Sequence, residues 1–365
     1  MKILHINSYY SGSMFYKNLF DKQVESGLDI DVFVPVSSAY KKKGIDFGSY
    51  TMVSANHNKY DRLIFHLKHK KIYKDVVRKY DINKYSIIHA HSLFSNGYIA
   101  MKLKQQHGVP YIVAVRNTDV NIFFKRLIHL RGIGVQILKE AKNIIFLSKV
   151  YRAGVLEKYV PNKLKGEVYE KSFIIPNGID DFWFKNIGTK ENIPYKGNLK
   201  LLYVGIIDKN KNITTTIKAI EKLQEKGYNI KFTVVGKIKD NKVYNEIKDK
   251  GFVNYILPSP KEKLLEIYRA NDIFVMPSIT ETFGLVYAEA MSQGLPVIYS
   301  KGQGFDKQFE GGEVGCSVDA LDNGDVAVKI EEVFKSYKEK SERCSELCRK
   351  FNWKKISKSY SEVYK

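Results

Sequence analysis

The chain has 365 residues and a formal net charge of +21 at pH 7. This length exceeds what one hydrophobic core usually holds, so two domains are expected, and the hydrophobic content of 44% is ordinary for a globular protein. No stretch approaches the roughly 18 apolar residues of a membrane-spanning helix, and the alternating start MKILHINSYY is typical of a strand rather than a signal peptide. Three cysteines favour a cytoplasmic protein with thiols packed in the core over a disulfide framework.

Strand-like and helix-like segments alternate along the whole chain, which predicts α/β architecture with parallel, doubly wound sheets. The strands predicted in the first half are Lys2–Asn7, Asp29–Pro35, Tyr85–His91, Pro110–Arg116, Asn143–Ser148 and Phe173–Pro176. Those predicted in the second half are Leu199–Gly205, Ile230–Gly236, Tyr255–Leu257, Ile273–Pro277, Pro296–Ser300 and Cys316–Asp319. Two sets of six strands indicate two Rossmann-like domains, with the junction in the polar stretch Asp181–Gly197.

The positive charge is concentrated in one quarter of the chain. Residues 51–150 contain 18 lysines and arginines against five acidic residues. Basic and apolar residues interleave in Lys59–Lys79 and in Phe123–Arg131, a pattern that suits an anionic membrane surface. A solvated face is the alternative. Nucleic acid is not an expected partner, because no dedicated nucleic-acid module accompanies the charge.

The segment 277–300, PSITETFGLVYAEAMSQGLPVIYS, is the most informative part of the sequence. It predicts a strand end, a sharp loop, a helix and a second strand. Gly284 lies at the loop-to-helix junction, Thr282 is predicted to cap the helix, and Gly294 suits the position after its end. Free backbone amides at the helix start would attract a phosphate group.

Two glutamates flank this predicted helix start. Glu281 precedes it and Glu289 lies one to two turns inside it, so the carboxylates are suited to bracket a diphosphate and bind hydroxyls on either side. That is the shape of a sugar nucleotide. Two glutamates with this spacing also occur by chance on ordinary surface helices, so the surrounding residues decide between the two interpretations.

Those residues resemble the donor-site signature of family 4 glycosyltransferases, in which FG follows the first glutamate and EAM begins at the second. Other segments resemble landmarks of the same family: HAHSLFSNG, IIPNGID, LYVGIIDKNKNI and FNWKKISKSYSEVY. The resemblance implies the GT-B fold, in which two doubly wound Rossmann-like domains face a central cleft. It implies an acceptor-side domain over residues 1–180, a nucleotide-sugar domain over 181–350, and a C-terminal helix, 351–365, that crosses back to the first domain.

The resemblance also implies the reaction, which is metal-independent, retaining transfer of a hexose from a nucleotide diphosphate sugar to an acceptor hydroxyl. Lys211 and the helix-start amides would neutralise the leaving diphosphate, Glu281 would orient the donor sugar, and Glu289 would bind the ribose. No cofactor is expected beyond the nucleotide-sugar substrate. The expected acceptor is a saccharide or lipid-linked saccharide in bacterial surface polysaccharide synthesis, at the inner face of the cell membrane. The expected donor-binding residues are Gly205, Lys211, Glu281, Phe283, Gly284, Leu285 and Glu289.

Three departures from the family pattern concern the site. Ile206 stands where an arginine is usual, and Arg116 stands where a histidine is usual. We predict that Arg116 is a third catalytic residue beside Glu281 and Lys211, because a cation gained there compensates for the one lost at Ile206. Gly12 is a single glycine in a loop that often has more.

The acceptor side is expected to comprise Gly12, His91 and Asp119. His91 is predicted at a strand end facing the cleft. Asp119 has two interpretations, since it either contacts the acceptor or holds Arg116.

Two other functions remain possible from sequence. One is a different GT-B enzyme, such as a sugar-nucleotide epimerase or a phosphorylase, although no phosphorylase cofactor-lysine motif is found. The other is a catalytically silent binding subunit, which only Ile206 supports. Acceptor-dependent nucleotide release distinguishes a transferase from both.

Overall fold

A computed structural model describes residues 1–41, 44, 46–190 and 197–365 of the chain. These residues form two compact units, Met1–Pro176 with Trp353–Lys365, and Asn177–Asn352. The boundary precedes the predicted one because Ile179 pairs with Asn352 inside the second unit and Asp180 caps the helix that begins at Asp181. Part of the predicted junction stretch, residues 191–196, lies outside the described residues.

The first unit contains a seven-stranded parallel sheet in the order β3-β2-β1-β4-β5-β6-β7. Its strands are β1 Lys2–Ile6, β2 Asp29–Ser37, β3 Thr51–His57, β4 Ile87–Ala90, β5 Tyr111–Ala114, β6 Asn143–Phe146 and β7 Ser172–Ile174. The predicted six-strand set lacked β3. This strand lies at the sheet edge and buries only Ser54 fully, so its sequence has no apolar alternation to reveal it.

Helices cover both faces of this sheet, and two separate apolar clusters fill the space beneath them. The helices are α1 Phe15–Glu25, α2 Phe65–Lys79, α3 Ser95–His107, α4 Arg131–Glu140, α5 Lys149–Tyr159, α6 Asn162–Glu170 and α14 Trp353–Tyr364. Short 3₁₀ turns occur at Tyr10–Gly12, Lys59–Leu63, Ile82–Lys84 and Ile128–Leu130, and a π-helical stretch at Asp119–Phe124.

The C-terminal helix α14 belongs to the first unit, which confirms the predicted return. Its buried residues recur with helical spacing, at Trp353, Ile356, Tyr360 and Val363. The Tyr364 hydroxyl accepts a hydrogen bond from Gln23 Nε2 of α1 at 2.8 Å. The return begins at Trp353 rather than at Phe351, because Phe351 packs its ring against Phe283 in the second unit.

The second unit contains a six-stranded parallel sheet in the order β10-β9-β8-β11-β12-β13. Its strands are β8 Asn198–Val204, β9 Asn229–Val235, β10 Val253–Ile256, β11 Ile273–Met276, β12 Val297–Ser300 and β13 Gly315–Val318, as predicted within a few residues. Its helices are α7 Asp181–Lys185, α8 Ile213–Glu225, α9 Asn241–Ile247, α10 Lys261–Ala270, α11 Leu285–Ser292, α12 Asn323–Lys335 and α13 Tyr337–Leu347, with 3₁₀ turns at Lys209–Lys211 and Cys348–Phe351.

Cys316, Cys344 and Cys348 are buried free thiols in this unit. Within the described residues, no helix has the length and apolar character needed to cross a membrane.

Candidate active site

Two loops at the carboxyl edge of the second sheet are joined through Asn210. The first loop follows β8 and the second follows β11. Asn210 accepts hydrogen bonds from the backbone of Ile279, at 2.8 Å through its carbonyl, and of Thr280, at 3.1 Å through Oδ1. Its Nδ2 donates to the Thr280 carbonyl at 2.9 Å. These three bonds fix the distance between the loops, and nothing in the sequence singled out Asn210.

The same two loops bring Lys211 and Glu281 together. Lys211 Nζ donates to Glu281 Oε2 at 2.5 Å, and the two side chains keep 21% and 14% of their surface exposed. The other carboxylate oxygen of Glu281 accepts from the Thr282 amide at 3.0 Å. An ammonium has three donors, so Lys211 is able to hold Glu281 and bind a further oxygen anion. The structure therefore brings together two residues that were both predicted for the donor site.

A third loop, after β12, supports Glu281 from behind. Gln303 Oε1 accepts from the Glu281 amide at 2.9 Å, and the Gly304 amide donates to the Glu281 carbonyl at 2.8 Å. A Cβ atom on residue 304 would lie 1.6 Å from the Thr282 carbonyl oxygen, so only glycine permits this approach. Neither Gln303 nor Gly304 was predicted, because both lie outside the donor signature.

The start of α11 differs from the prediction at Thr282. Gly284 occupies the N-cap position with φ 73°, and no side chain caps the helix. A Cβ on residue 284 would approach the Tyr287 ring to 2.5 Å, which makes glycine doubly necessary. The predicted cap by Thr282 is wrong, because Gly284 provides the left-handed residue that turns the chain into the helix. The prediction for Gly294 is confirmed by its φ of 73° just beyond the helix end.

Glu289 projects from α11 beside Tyr268 of α10. The Tyr268 hydroxyl donates to Glu289 Oε2 at 3.2 Å. Burial raises the pKa of Glu289 to about 7, with a further contribution from the negative charge of Asp180, while the bond from Tyr268 opposes the rise. Glu289 therefore titrates near neutral pH, which no feature of the sequence indicated.

The remaining donor-side residues are positioned mainly by their backbones. The Gly205 amide donates to the Val235 carbonyl at 2.9 Å, which ties the end of β8 to β9. The Phe283 ring is buried against Phe305, so this residue offers a ligand its backbone rather than its side chain. Leu285 is the first residue of α11.

Ile206, at the position of the missing arginine, is 46% exposed. Other cations lie at this edge of the sheet, where Lys209, Lys239 and Lys242 line a cavity of about 520 Å³. Lys239 Nζ lies 3.3 Å from Asp208 Oδ2 on the rim of that cavity. Arg116 was the predicted substitute for the lost arginine, and these three lysines were not predicted.

Asp119 holds the backbone around Arg116 in the first unit. Its carboxylate accepts from the amides of Leu93 at 2.9 Å, Phe94 at 3.0 Å and Arg116 at 2.8 Å. Burial raises the pKa of Asp119 to about 6, and the three amide bonds limit the rise. Of the two predicted interpretations of Asp119, the geometry supports the one in which it holds Arg116.

Arg116 is 7% exposed. Its Nε donates to the His91 carbonyl at 3.4 Å, and its guanidinium lies close to Tyr16 and Tyr360. Tyr16, His91 and Tyr360 all belong to the first unit, and no feature of the sequence indicated this burial.

His91 is fully buried, which contradicts the expectation that its side chain is accessible to the acceptor at a strand end. Its Nε2 lies 3.0 Å from His5 Nδ1, and its ring stacks on His89 with centroids 4.0 Å apart. Tyr16 and Phe20 of α1 cover it. Burial lowers the pKa of His91 well below its ordinary value, with added repulsion from the neighbouring histidines and Arg116.

Within the described residues, one group of three potential metal ligands lies close together. It consists of His5, His89 and His91. Their candidate ligand atoms lie within 4.8 Å of one another. However, His5 is bonded to His91, and His89 Nδ1 is bonded to the Tyr364 hydroxyl at 2.8 Å. These contacts join the three histidines and Tyr364 in a hydrogen-bonded and stacked layer.

Gly12 lies in the exposed 3₁₀ turn Tyr10–Gly12. A Cβ atom added there would have no neighbour within 4 Å. Its surroundings therefore leave room for a larger side chain.

Comparisons with known proteins cover both units. The family model described as Glycosyltransferase Family 4 matches residues 12–181, and the model described as Glycosyl transferases group 1 matches residues 185–351. An uncharacterized glycosyltransferase of Methanocaldococcus jannaschii is 26% identical over 88% of this chain and 90% of its own length. The putative teichuronic acid biosynthesis glycosyltransferase TuaC of Bacillus subtilis is 26% identical, over 85% and 83%.

Solved structures share the fold at low sequence identity. Sucrose-phosphate synthase from Thermosynechococcus elongatus aligns with a TM-score of 0.77 at 18% identity, over 100% of this chain and 98% of its own. Anabaena HepE in complex with UDP aligns with a TM-score of 0.73 at 15% identity, over 99% of both chains. The chain therefore belongs to the family 4, group 1 glycosyltransferases and has the GT-B fold.

Proposed function

We propose that this glycosyltransferase moves a hexose from a nucleotide diphosphate sugar to an acceptor hydroxyl, with retention of the anomeric configuration. The observation that carries the proposal is the Lys211–Glu281 pair beside the uncapped start of α11, with Glu289 on the same helix. A cation and free amides stabilise the negative charge that develops on a departing diphosphate. The similarity to HepE, which was solved in complex with UDP, supports a nucleotide-sugar donor.

Each residue of the site has a role in this mechanism. Lys211 neutralises the leaving diphosphate, while Glu281 accepts hydrogen bonds from hydroxyls of the donor sugar. Glu289 accepts hydrogen bonds from the ribose. The backbone from Phe283 to Leu285 contacts the donor, and Gly205 lets it approach the end of β8. The leaving phosphate itself takes the acceptor proton, so neither a protein nucleophile nor a metal ion has a part in the mechanism.

We also propose that the acceptor is a lipid-linked saccharide in bacterial surface polysaccharide synthesis. The similarity to a putative teichuronic acid biosynthesis enzyme supports a polysaccharide product. A lipid-linked acceptor requires the enzyme to work at a membrane surface.

An exposed patch on the first unit supports this location. Leu63 and Ile64 precede α2 and are 78% and 58% exposed, and Ile128 is 64% exposed. The two segments adjoin, because the rings of Phe65 and Phe123 lie 6.1 Å apart. Exposed basic residues lie in the same two segments as these apolar side chains: Lys59, Arg62, Lys70, Lys125 and Arg126. Apolar side chains that insert and basic ones that bind anionic headgroups are typical of peripheral membrane binding.

The lysines of α2 differ in how free they are to bind a lipid headgroup. Lys71 Nζ is 2.7 Å from Asp61 Oδ2, and burial lowers the pKa of Lys68. Of the lysines on α2, Lys70 and Lys74 are thus better placed to attract a lipid headgroup than Lys68 and Lys71. We define the membrane patch as three apolar residues and five basic residues: Leu63, Ile64, Ile128, Lys59, Arg62, Lys70, Lys125 and Arg126.

The test is a binding and turnover panel of UDP-, GDP- and ADP-sugars. We expect one nucleotide class to bind and to release nucleotide only when a saccharide acceptor is present. NMR of the product should show the anomeric configuration of the donor. Binding without acceptor-dependent release would indicate a silent subunit, and an inverted product would overturn retention.

A further inference from the structure

A second polar pocket lies in the first unit, between the end of β3 and helix α2. Its volume is about 640 Å³, within the range of small-ligand sites. Its walls include Asn56 and His57 from β3, and Lys71, Lys74 and Arg78 from α2. No residue of this pocket belongs to the donor site or to the acceptor-side residues expected from sequence.

The three cations of the pocket share one face of α2. Lys71, Lys74 and Arg78 are three and four residues apart, and residues with this spacing line up along a helix. Leu67 lies one turn before Lys71 on the same line and is 40% exposed. This helix face is therefore apolar at Leu67, close in sequence to the membrane patch, and basic from Lys71 to Arg78.

The negative charge of Asp75, the acidic residue in the pocket, is already balanced by neighbouring cations. Its carboxylate accepts from Ser54 Oγ at 2.5 Å and from Asn56 Nδ2 at 3.1 Å, and it pairs with Arg78 at 2.7 Å and with Lys79 at 3.4 Å. It is 6% exposed. Asp75 thus orients Arg78 and Asn56 from behind and presents little negative charge to a ligand.

The cations retain donors for a ligand. Arg78 bonds Asp75 through one terminal nitrogen, and its side chain is 76% exposed. Lys74 makes no hydrogen bond or ion pair with any residue in the described part of the chain, and it is exposed. Burial and repulsion from Lys68 and Lys71 lower the pKa of His57 to about 4, so its ring stays neutral beside this positive potential.

We propose that this pocket binds a phosphate or diphosphate ester group of the acceptor. The proposal rests on the proposed function, because it names the acceptor as a phosphate ester. Lysine and arginine are the side chains that bind phosphate oxygens best, and a fork of guanidinium N–H groups fits them in pairs. The apolar start of the same helix places the aliphatic part of a lipid phosphate against Leu67 and the membrane patch, and the phosphate against Lys74 and Arg78.

Isothermal titration with inorganic pyrophosphate tests the pocket directly. The experiment uses the full chain carrying Lys211→Ala, so that a diphosphate bound at the donor site does not contribute. We expect saturable binding that weakens at least roughly tenfold when Lys74→Ala and Arg78→Ala are added, as for the loss of two charge-assisted contacts. The matched control is Lys158→Ala with Lys163→Ala, which removes the same charge from exposed positions of the same unit. Equal weakening by both pairs, or by neither, overturns the proposal.

A second arm separates a soluble phosphate group from a membrane headgroup. The same variants are sedimented with vesicles of phosphatidylglycerol. Loss of vesicle binding in the Lys74 and Arg78 variant without loss of pyrophosphate binding would mean a general surface attraction, and would overturn a discrete site. Nucleotide-sugar binding is measured in the variant that retains Lys211. If no nucleotide sugar binds but pyrophosphate binding still depends on Lys74 and Arg78, the proposed function fails and the phosphate pocket stands.

Discussion

Lys211 Nζ and Glu281 Oε2 lie 2.5 Å apart although 70 residues separate them along the chain. The pair depends on Asn210, which joins the loop after β8 to the loop after β11, and on the loop that carries Gln303. A charge pair held in this way is oriented before any ligand arrives, so binding energy is not needed to assemble it.

The first prediction concerns this pair. Glu281→Gln should lower kcat by roughly 10- to 1000-fold, because a positioned contact to the reacting sugar is lost. Nucleotide-sugar affinity should change much less. Steady-state kinetics with varied donor concentration measures both. The control is Glu221→Gln, which breaks an exposed ion pair with Lys250 in the same unit and should leave kcat unchanged. Wild-type kcat in Glu281→Gln would remove Glu281 from the catalytic site.

The second prediction concerns pH and Glu289. Its pKa of about 7 means that the carboxylate becomes protonated as the pH falls through 7, and a neutral carboxyl group accepts ribose hydrogen bonds more weakly. The donor KM should therefore rise between pH 8 and pH 6 in the wild type and stay level in Glu289→Gln. Tyr268→Phe removes a bond that lowers this pKa, so its KM curve should shift to higher pH.

The same pKa sets the sign of a stability effect. A carboxyl group with a raised pKa in the folded state stabilises the protein at low pH, and this contribution is lost as pH rises from 4.5 through 7. Glu289→Gln should therefore gain thermal stability relative to the wild type at pH 8, but not at pH 4.5. An identical difference in Tm at both pH values would contradict the raised pKa.

The third prediction concerns Arg116. If it supplies the cation that Ile206 lacks, Arg116→Ala should weaken nucleotide-sugar binding more than acceptor binding. Because Arg116 is almost fully buried, the variant should also lower the Tm, so binding is compared at a temperature where both proteins are folded. Arg116→Lys keeps the charge and should restore part of the donor affinity. A fall in acceptor affinity alone would assign Arg116 to the acceptor site.

The fourth prediction concerns the membrane patch. Replacing Leu63, Ile64 and Ile128 by serine should reduce sedimentation with anionic vesicles, and replacing Lys68, Lys70, Lys71 and Lys74 by glutamate should abolish it. Added salt should weaken wild-type binding because it screens the charges. Nucleotide-sugar binding should persist throughout. Leu257→Ser, at a 69% exposed leucine of the second unit, is the control. Equal binding of the wild type to neutral and anionic vesicles would contradict a charged patch.

The fifth prediction concerns acid. Burial lowers the pKa of His5 to about 3, and the pKa values of His89 and His91 lie well below 6.5. The unfolded chain binds these protons more readily, so stability is lost as pH falls below 6.5, and the contribution of His5 to this loss is about 2 kcal/mol at pH 5. Hydrogen exchange should show β1 and β4 losing protection between pH 7 and pH 5. Unchanged protection would mean that the histidines are able to protonate in the folded protein.

The sequence predicted the strands of both sheets apart from β3, and it indicated candidate donor-site residues, because both predictions depend on local patterns. Every predicted strand was found, because a short apolar run between turn residues indicates a strand without reference to distant parts of the chain. Glu281, Gly284 and Glu289 likewise lie close together in sequence, within the segment 277–300. The edge strand β3 escaped because one buried residue leaves no alternation.

The acceptor-side residues were harder to predict because their surroundings come from distant parts of the chain. His91 looked accessible at the end of a strand, but Tyr16 and Phe20 of α1 cover it. Its neighbour His89 bonds Tyr364, which is 275 residues away. Asn210 and Gln303 act through loop contacts that no spacing rule anticipates.

The position of helix α14 in the first unit has a consequence for synthesis on the ribosome. The second unit is continuous in sequence, so it has all its residues before the first unit does. The histidine layer of β1 and β4 is completed only when Tyr364 has been synthesised. At about 5–20 residues per second, Tyr364 emerges tens of seconds after β7, the last strand of the first sheet. During that interval the nascent first unit exposes the surface that α14 later covers, and chaperones that bind apolar segments have their best opportunity there.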